Sequence, residues 1–171
     1  VVLVDGPSGS GKSTLADALV RAGDAAAGLP PGAQLLRLDD VYPGWDGLEA
    51  ASRHLERHVL PEMRPGGRPR WQRWDWAADA PAEWHGLDPA RPLVVEGCGS
   101  LTRVAARLAT HGVWVEADDA VRRARAIARD GEAFAVEWDR WDAQWRAHVA
   151  REDPRGLADV VVRTDAVAAA G

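Results

Sequence analysis

Eight consecutive residues restrict this chain more than all the others together. Gly6-Pro7-Ser8-Gly9-Ser10-Gly11-Lys12-Ser13 satisfies the pattern G-x-x-x-x-G-K-[ST], and Thr14 follows it. The apolar run Val1-Val2-Leu3-Val4-Asp5 before it is β-branched and suits a strand buried on both faces. Lys12 to Ala22 reads as a helix, with Leu15, Leu19 and Ala22 on one apolar stripe. A glycine-rich turn between such a strand and helix curls its N–H groups inward, and the helix adds the positive end of its dipole. Lys12 can then reach the β- and γ-phosphates of a nucleotide, and the Ser13 hydroxyl is placed for Mg²⁺. Gly6, Ser8, Gly9, Ser10, Gly11, Lys12, Ser13 and Thr14 are therefore the candidate nucleotide-binding residues, with Mg-ATP as the expected ligand. The plain alternative is a turn that only joins strand to helix. It gives no reason for the lysine: of 21 basic residues, the single lysine is the one inside this pattern.

Further along, apolar strand-like runs alternate with helical ones. Leu35 to Leu38, Pro92 to Glu96, Val113 to Glu116 and Asp159 to Arg163 read as strands, and Trp71 to Trp76 as a short edge strand. Leu48 to Leu60, Leu101 to Thr110, Asp119 to Asp130 and Phe134 to Ala150 read as helices, with Gly131 breaking the last two apart. Asp24 to Ala33 and Pro81 to Arg91 read as loops, and the Ala-rich end as a frayed tail. Strands separated by helices imply an α/β fold, a five-stranded parallel sheet with helices on both faces. No linker or repeat divides the 171 residues, so one domain spanning 1–171 is expected. In such folds ligands gather at the carboxyl ends of the strands, where Asp39, Glu96 and Glu116 join the glycine loop.

Composition removes several functions. A net charge of −5 argues against a nucleic-acid binder. No apolar run approaches the roughly 20 residues of a membrane helix, and no signal-peptide pattern occurs. Cys98 is the only cysteine, so no internal disulfide or zinc cluster forms, and a cytoplasmic protein is expected. A switch GTPase reads guanine with Asn-Lys-x-Asp, and this chain contains no asparagine. A small kinase is the class that remains, its partner a small-molecule hydroxyl acceptor; the oligomeric state is left open.

Three constellations agree with that class. In Leu38-Asp39-Asp40-Val41-Tyr42, a carboxylate ending the second strand can orient an acceptor hydroxyl and take its proton, although a solvated turn starter would look similar. In Val94-Val95-Glu96-Gly97, the carboxylate can hold the magnesium water shell, where a helix cap is the alternative. Arg122, Arg125 and Arg129 fall on one arc of a helix at about 100° per residue. They could grip phosphate oxygens as a lid over about 122–135, or form a solvated face.

With these residues in order, the chain resembles the uridine kinase-like family of P-loop small-molecule kinases, related to phosphoribulokinase and bacterial pantothenate kinase. The shared order runs from Gly6 to Ser13, through Asp39-Asp40-Val41-Tyr42 and Glu96-Gly97, to Arg122-x2-Arg125-x3-Arg129-Asp130 and Ala158-Asp159-Val160-Val161. The resemblance implies a three-layer P-loop fold with a small helical lid. It implies Asp39 as catalytic base, Glu96 as a magnesium aid, and phosphate contacts from some of Arg122, Arg125 and Arg129. Trp74-Asp75-Trp76 resembles the family's acceptor-side segment, which brings Asp75 and Trp76 beside Asp40 and Tyr42 as substrate-binding candidates. Nucleoside-binding members carry a longer hairpin than the 43–76 insertion here, which counts against uridine itself.

Nine tryptophans invite a stacking role. Trp138, Trp141 and Trp145 repeat at helical spacing after Phe134 and read as core, whereas Trp45, Trp71, Trp74 and Trp76 fall beside the acceptor side. His54 and His58 stand one turn apart without a third ligand and read as a surface face. Two other functions stay open. Arg64, Arg68, Arg70 and Arg73 would suit an acceptor that already bears a phosphate, and a nucleotide-binding regulatory domain with little turnover would keep the loop alone.

Overall fold

In a computed structural model, which describes residues 1–21 and 32–165, the run Val2–Asp5 forms strand β1, every residue of it buried. Burial on both faces is what its β-branched composition suits, and β1 lies at the centre of a five-stranded sheet. The other strands are β2 (Gln34–Arg37), β5 (Leu93–Glu96), β6 (His111–Glu116) and β7 (Val160–Arg163), in the order β2-β5-β1-β6-β7. All four pairings are parallel. Every carboxyl end therefore opens on one rim, and the register sets Arg37 opposite Glu96 and Glu116 opposite Arg163.

Helix α1 (Lys12–Arg21) follows β1 across the glycine turn. Helix α2 (Leu48–His54) continues through a π turn at Leu55–Val59 and a 3-10 turn at Leu60–Glu62, so the helix expected over 48–60 is wound unevenly. Helix α3 (Arg103–Leu108) starts where Thr102 caps it, its hydroxyl accepting the Ala105 N–H at 3.0 Å. Helix α4 (Asp119–Glu152) is interrupted at Gly131 (φ 73°, ψ −158°), the break its sequence implies, and α5 (Pro154–Leu157) precedes the last strand. Among the described residues no helix is long and apolar enough to cross a membrane.

One loop assignment is corrected. Residues expected to form a loop from Pro81 contain β4 (Ala80–Gly86), which pairs antiparallel with β3 (Arg70–Asp75). The hairpin is a separate two-stranded sheet rather than an edge of the main one. Pro81 at the start of β4 hides the strand, because proline is usually a breaker and is tolerated only at such positions. Most of the expected loop at 24–33, the helix end at Ala22 and the alanine-rich tail lie outside the described residues.

The core explains why the tryptophan stripe exists. Phe134, Trp138 and Trp141 of α4 are buried against Tyr42, Leu38 and Leu48, closing one side of the sheet. Trp145 packs partly buried at the edge of this cluster.

Candidate active site

The phosphate loop is fixed from beneath by Asp5. Its buried carboxylate accepts the N–H groups of Gly6 at 2.6 Å, Gly99 at 3.1 Å and Leu101 at 2.8 Å, tying the loop to the turn after β5. Burial pushes the Asp5 carboxyl up, and His148 together with those N–H groups partly opposes it. The loop closes with Ser10 N–H donating to the Pro7 carbonyl at 3.2 Å, and Gly11 accepts from Leu15 N–H at 3.1 Å as α1 begins. Gly9, at φ 78°, is pressed so close to α4 that a Cβ would stand 1.9 Å from the Arg122 carbonyl oxygen. Only glycine fits there, so the base of the expected lid is seated directly on the loop. The Cys98 thiol donates to the Gly6 carbonyl at 3.2 Å, and burial pushes its pKa up.

Lys12 is 6% exposed. Burial alone would lower its pKa, but the facing Cys98, Glu96 and Asp39 outweigh burial and hold it raised, so the ammonium stays charged. Glu96 ends β5 at 2% exposure, raised by burial and lowered in turn by Lys12. Its Oε1 lies 3.2 Å from Arg37, which also grips Asp17 at 2.6 Å. At Gly97 (φ 148°) a Cβ would meet Leu38 Cβ at 2.5 Å and the Tyr42 hydroxyl at 2.8 Å. The missing side chain lets the turn carrying Asp39 pack onto the end of β5. Tyr42 donates to the Cys98 carbonyl at 2.9 Å, and Trp76 Nε1 to the Asp39 carbonyl at 2.8 Å. The Asp39 carboxylate itself is left exposed at the rim.

These groups surround one cavity of about 430 Å³. Ser8, Lys12, Ser13, Arg37 and Glu96 line it, with Asp39, Tyr42, Trp45 and Trp76. Arg129, Asp130, Phe134 and Trp141 of α4 complete the lining. The donor set suits a nucleotide with magnesium: a loop of N–H groups, a charged lysine, and the hard oxygens of Ser13 and Glu96. Among the described residues no group of three His, Cys, Asp or Glu side chains could cage a metal alone.

No protein-family model and no curated protein matches the sequence. Solved structures do. One described as a possible uridine kinase from Bacillus stearothermophilus is 19% identical with a TM-score of 0.63, over 94% of this chain and 86% of that one. A candidate fructose transport system kinase from Silicibacter sp. TM1040 is 22% identical with a TM-score of 0.52, over 94% and 87%. The chain shares the fold of both. An uncharacterized protein from Eubacterium ventriosum has it too, at 9% identity and a TM-score of 0.52, over 96% and 87%.

Within this fold, two of the three candidate lid arginines are placed away from the cavity. Arg122 is 2% exposed, bound to Asp119 at 2.8 Å and Asp142 at 2.7 Å, and its guanidinium lies about 5 Å from the Trp138 and Trp145 ring centres. Arg125 donates to the Thr164 hydroxyl and carbonyl, both at 3.0 Å. Only Arg129 lines the cavity, with its guanidinium on Asp130 at 2.6 Å. The helical arc is as the sequence implied, but the chain after Gly131 folds back and offers Arg122 carboxylate and indole partners. Asp75 also stays outside the lining: its Oδ1 accepts Ala77 and Ala78 N–H at 3.0 Å and builds the hairpin turn. Asp40 is likewise outside it, its carboxyl pushed up by burial and by Asp39. Tyr42 and Trp76 are brought in. Sequence reading missed Arg37, Asp130, Phe134 and Trp141 as site residues. Arg37 gave a signal, standing at a strand's carboxyl end two residues before Asp39; the other three depend on how α4 folds back.

Proposed function

We propose that this chain transfers the γ-phosphoryl group of Mg-ATP to a hydroxyl of a small molecule. One observation carries the reading: a single cavity has the phosphate loop, Lys12 and Glu96 on one side and the exposed Asp39 carboxylate with an aromatic wall on the other. The loop N–H groups and Lys12 Nζ hold the phosphate oxygens and offset the charge that builds as the phosphoryl group moves. Ser13 and Glu96 hold the magnesium, which screens the phosphates when bound. Asp39 orients the acceptor hydroxyl and takes its proton as the oxygen bonds to phosphorus and the bond to the β-phosphate oxygen breaks. Arg129 supplies the lid cation. The remaining work is positioning.

The arginine cluster gives little support to a phosphorylated acceptor. Arg70 stacks on Trp84 at 4.7 Å and Arg73 pairs with Glu83 at 2.7 Å, and no member of the cluster lines the cavity. The test is an acceptor panel of alcohols, nucleosides and monophosphates with Mg-ATP, read by mass-spectrometric detection of phosphorylated products. The proposal expects a phosphorylated alcohol. Tight ATP binding with no phosphorylated product from any acceptor would favour a regulatory nucleotide-binding domain instead.

A further inference from the structure

Resting on that phosphotransferase reading, we infer that the acceptor is an alcohol bearing an organic ammonium group, held against the wall of Tyr42, Trp45, Trp76, Phe134 and Trp141. The wall is one connected cluster. Trp45 lies 5.2 Å from Trp76, 5.6 Å from Phe134 and 6.3 Å from Trp141, and Tyr42 lies 4.7 Å from Trp141. It is assembled from the turn after β2, the end of the hairpin and the second half of α4. Trp76 keeps 41% of its surface exposed and Trp45 is only half-buried. Large indoles left open beside a catalytic carboxylate mark a ligand surface rather than core.

The chemistry of the lining selects what lies there. A sugar or nucleobase needs directional hydrogen-bond partners, and a site lacking them discriminates poorly. Among the described residues the lining contains no Gln, Thr or His. Ser8 and Ser13 belong to the phosphate loop. Of the polar tips on the wall, the Tyr42 hydroxyl is already donated to the Cys98 carbonyl and the Trp76 N–H to the Asp39 carbonyl, which leaves the buried Trp141 N–H without a partner. Beyond indole N–H groups, what the wall offers is π surface. Charge points the same way. The lining cations are Lys12, Arg37 and Arg129, and the two arginines are already matched, Arg37 by Asp17 and Glu96 and Arg129 by Asp130. An anionic acceptor would compete with the phosphates for Lys12 and Arg129 and would face the exposed Asp39. An ammonium group suits aromatic faces beside the exposed Asp39 carboxylate, through cation–π attraction and charge attraction together.

The test uses matched sets of alcohols equal in size and differing only in their far end: trimethylammonium, tert-butyl or carboxylate, with choline and 3,3-dimethylbutan-1-ol as the smallest pair. Affinity is measured by calorimetry on the whole chain with Mg-ADP present, and phosphorylation separately with Mg-ATP. The ammonium member should bind at least about tenfold more tightly than the tert-butyl member. Trp45→Leu and Trp76→Leu should erase that preference, and Trp45→Phe, which restores a ring, should recover most of it. Equal binding, tighter binding of the tert-butyl alcohol, or no binding of either would overturn the inference. Phosphorylation of the tert-butyl alcohol in that case would leave the phosphotransferase reading standing. Preferential binding of the ammonium alcohol with no transfer to any alcohol would uphold the cation site and remove the phosphotransferase reading.

Discussion

The two halves of the cavity are built by opposite means. The donor half is eight contiguous residues working mostly through backbone, held by buried Asp5 and by the close approach of Gly9 to the Arg122 carbonyl. The acceptor half is side chains gathered from three distant segments, Asp39 to Trp45, Trp76, and Phe134 to Trp141. Backbone geometry leaves a pattern in the sequence because only glycine fits where φ is positive and space is short. An aromatic wall leaves none, because the same tryptophans also serve as core. The donor half can therefore be read in advance, and the acceptor half has to be seen folded.

Replacing Lys12 attacks the donor half most severely. Lys12→Ala should reduce turnover at least about a thousandfold, since it removes a buried cation at the charge that develops during transfer. Steady-state rates with saturating acceptor would check it, and a loss under tenfold would detach Lys12 from the chemistry. Arg122 separates catalysis from architecture. Arg122→Ala removes a buried guanidinium from Asp142 and from the Trp138 and Trp145 rings, with Arg146 still on Asp142, and should cost about 2–3 kcal/mol of stability, measured by chemical denaturation. A variant of unchanged stability with weakened ATP affinity would return Arg122 to the phosphates.

The smallest effect concerns the support of the acceptor half. His54 accepts the Gln72 N–H at 3.2 Å beneath the hairpin. Burial first, then His58, lowers its pKa from 6.5 to about 4. An unfolded chain takes up the proton near pH 6.5 while the folded one resists, so this contribution to stability is lost as pH falls from about 6.5 to about 4. The melting temperature should decline over that window, and His54→Gln should flatten the decline. An unchanged decline would place its cause elsewhere.

The sequence carried more of the fold than of the site. The central strand, the glycine turn and the break at Gly131 all followed from local chemistry, and the parallel pairing of the strands followed from their alternation with helices. The hairpin did not, since Pro81 masks β4 and its exposed faces carry no clean alternation. Arg122 shows why side-chain roles are harder. Its spacing with Arg125 and Arg129 was visible, but its partners Asp142 and Trp145 lie twenty or more residues later and meet it only after the chain reverses. Phe134 and Trp141 were legible as core and are core; that they also face the cavity depends on the same reversal.

The claim that joins the halves is that Asp39 takes the proton from the acceptor while the phosphate loop holds the donor. Single-turnover transfer by Asp39→Asn, beside its ATP affinity, tests that claim most directly. ATP should bind as tightly as before while transfer falls about 10²–10⁴-fold. Transfer at the unaltered rate would contradict the assignment, and with it the reading of the cavity as one catalytic site.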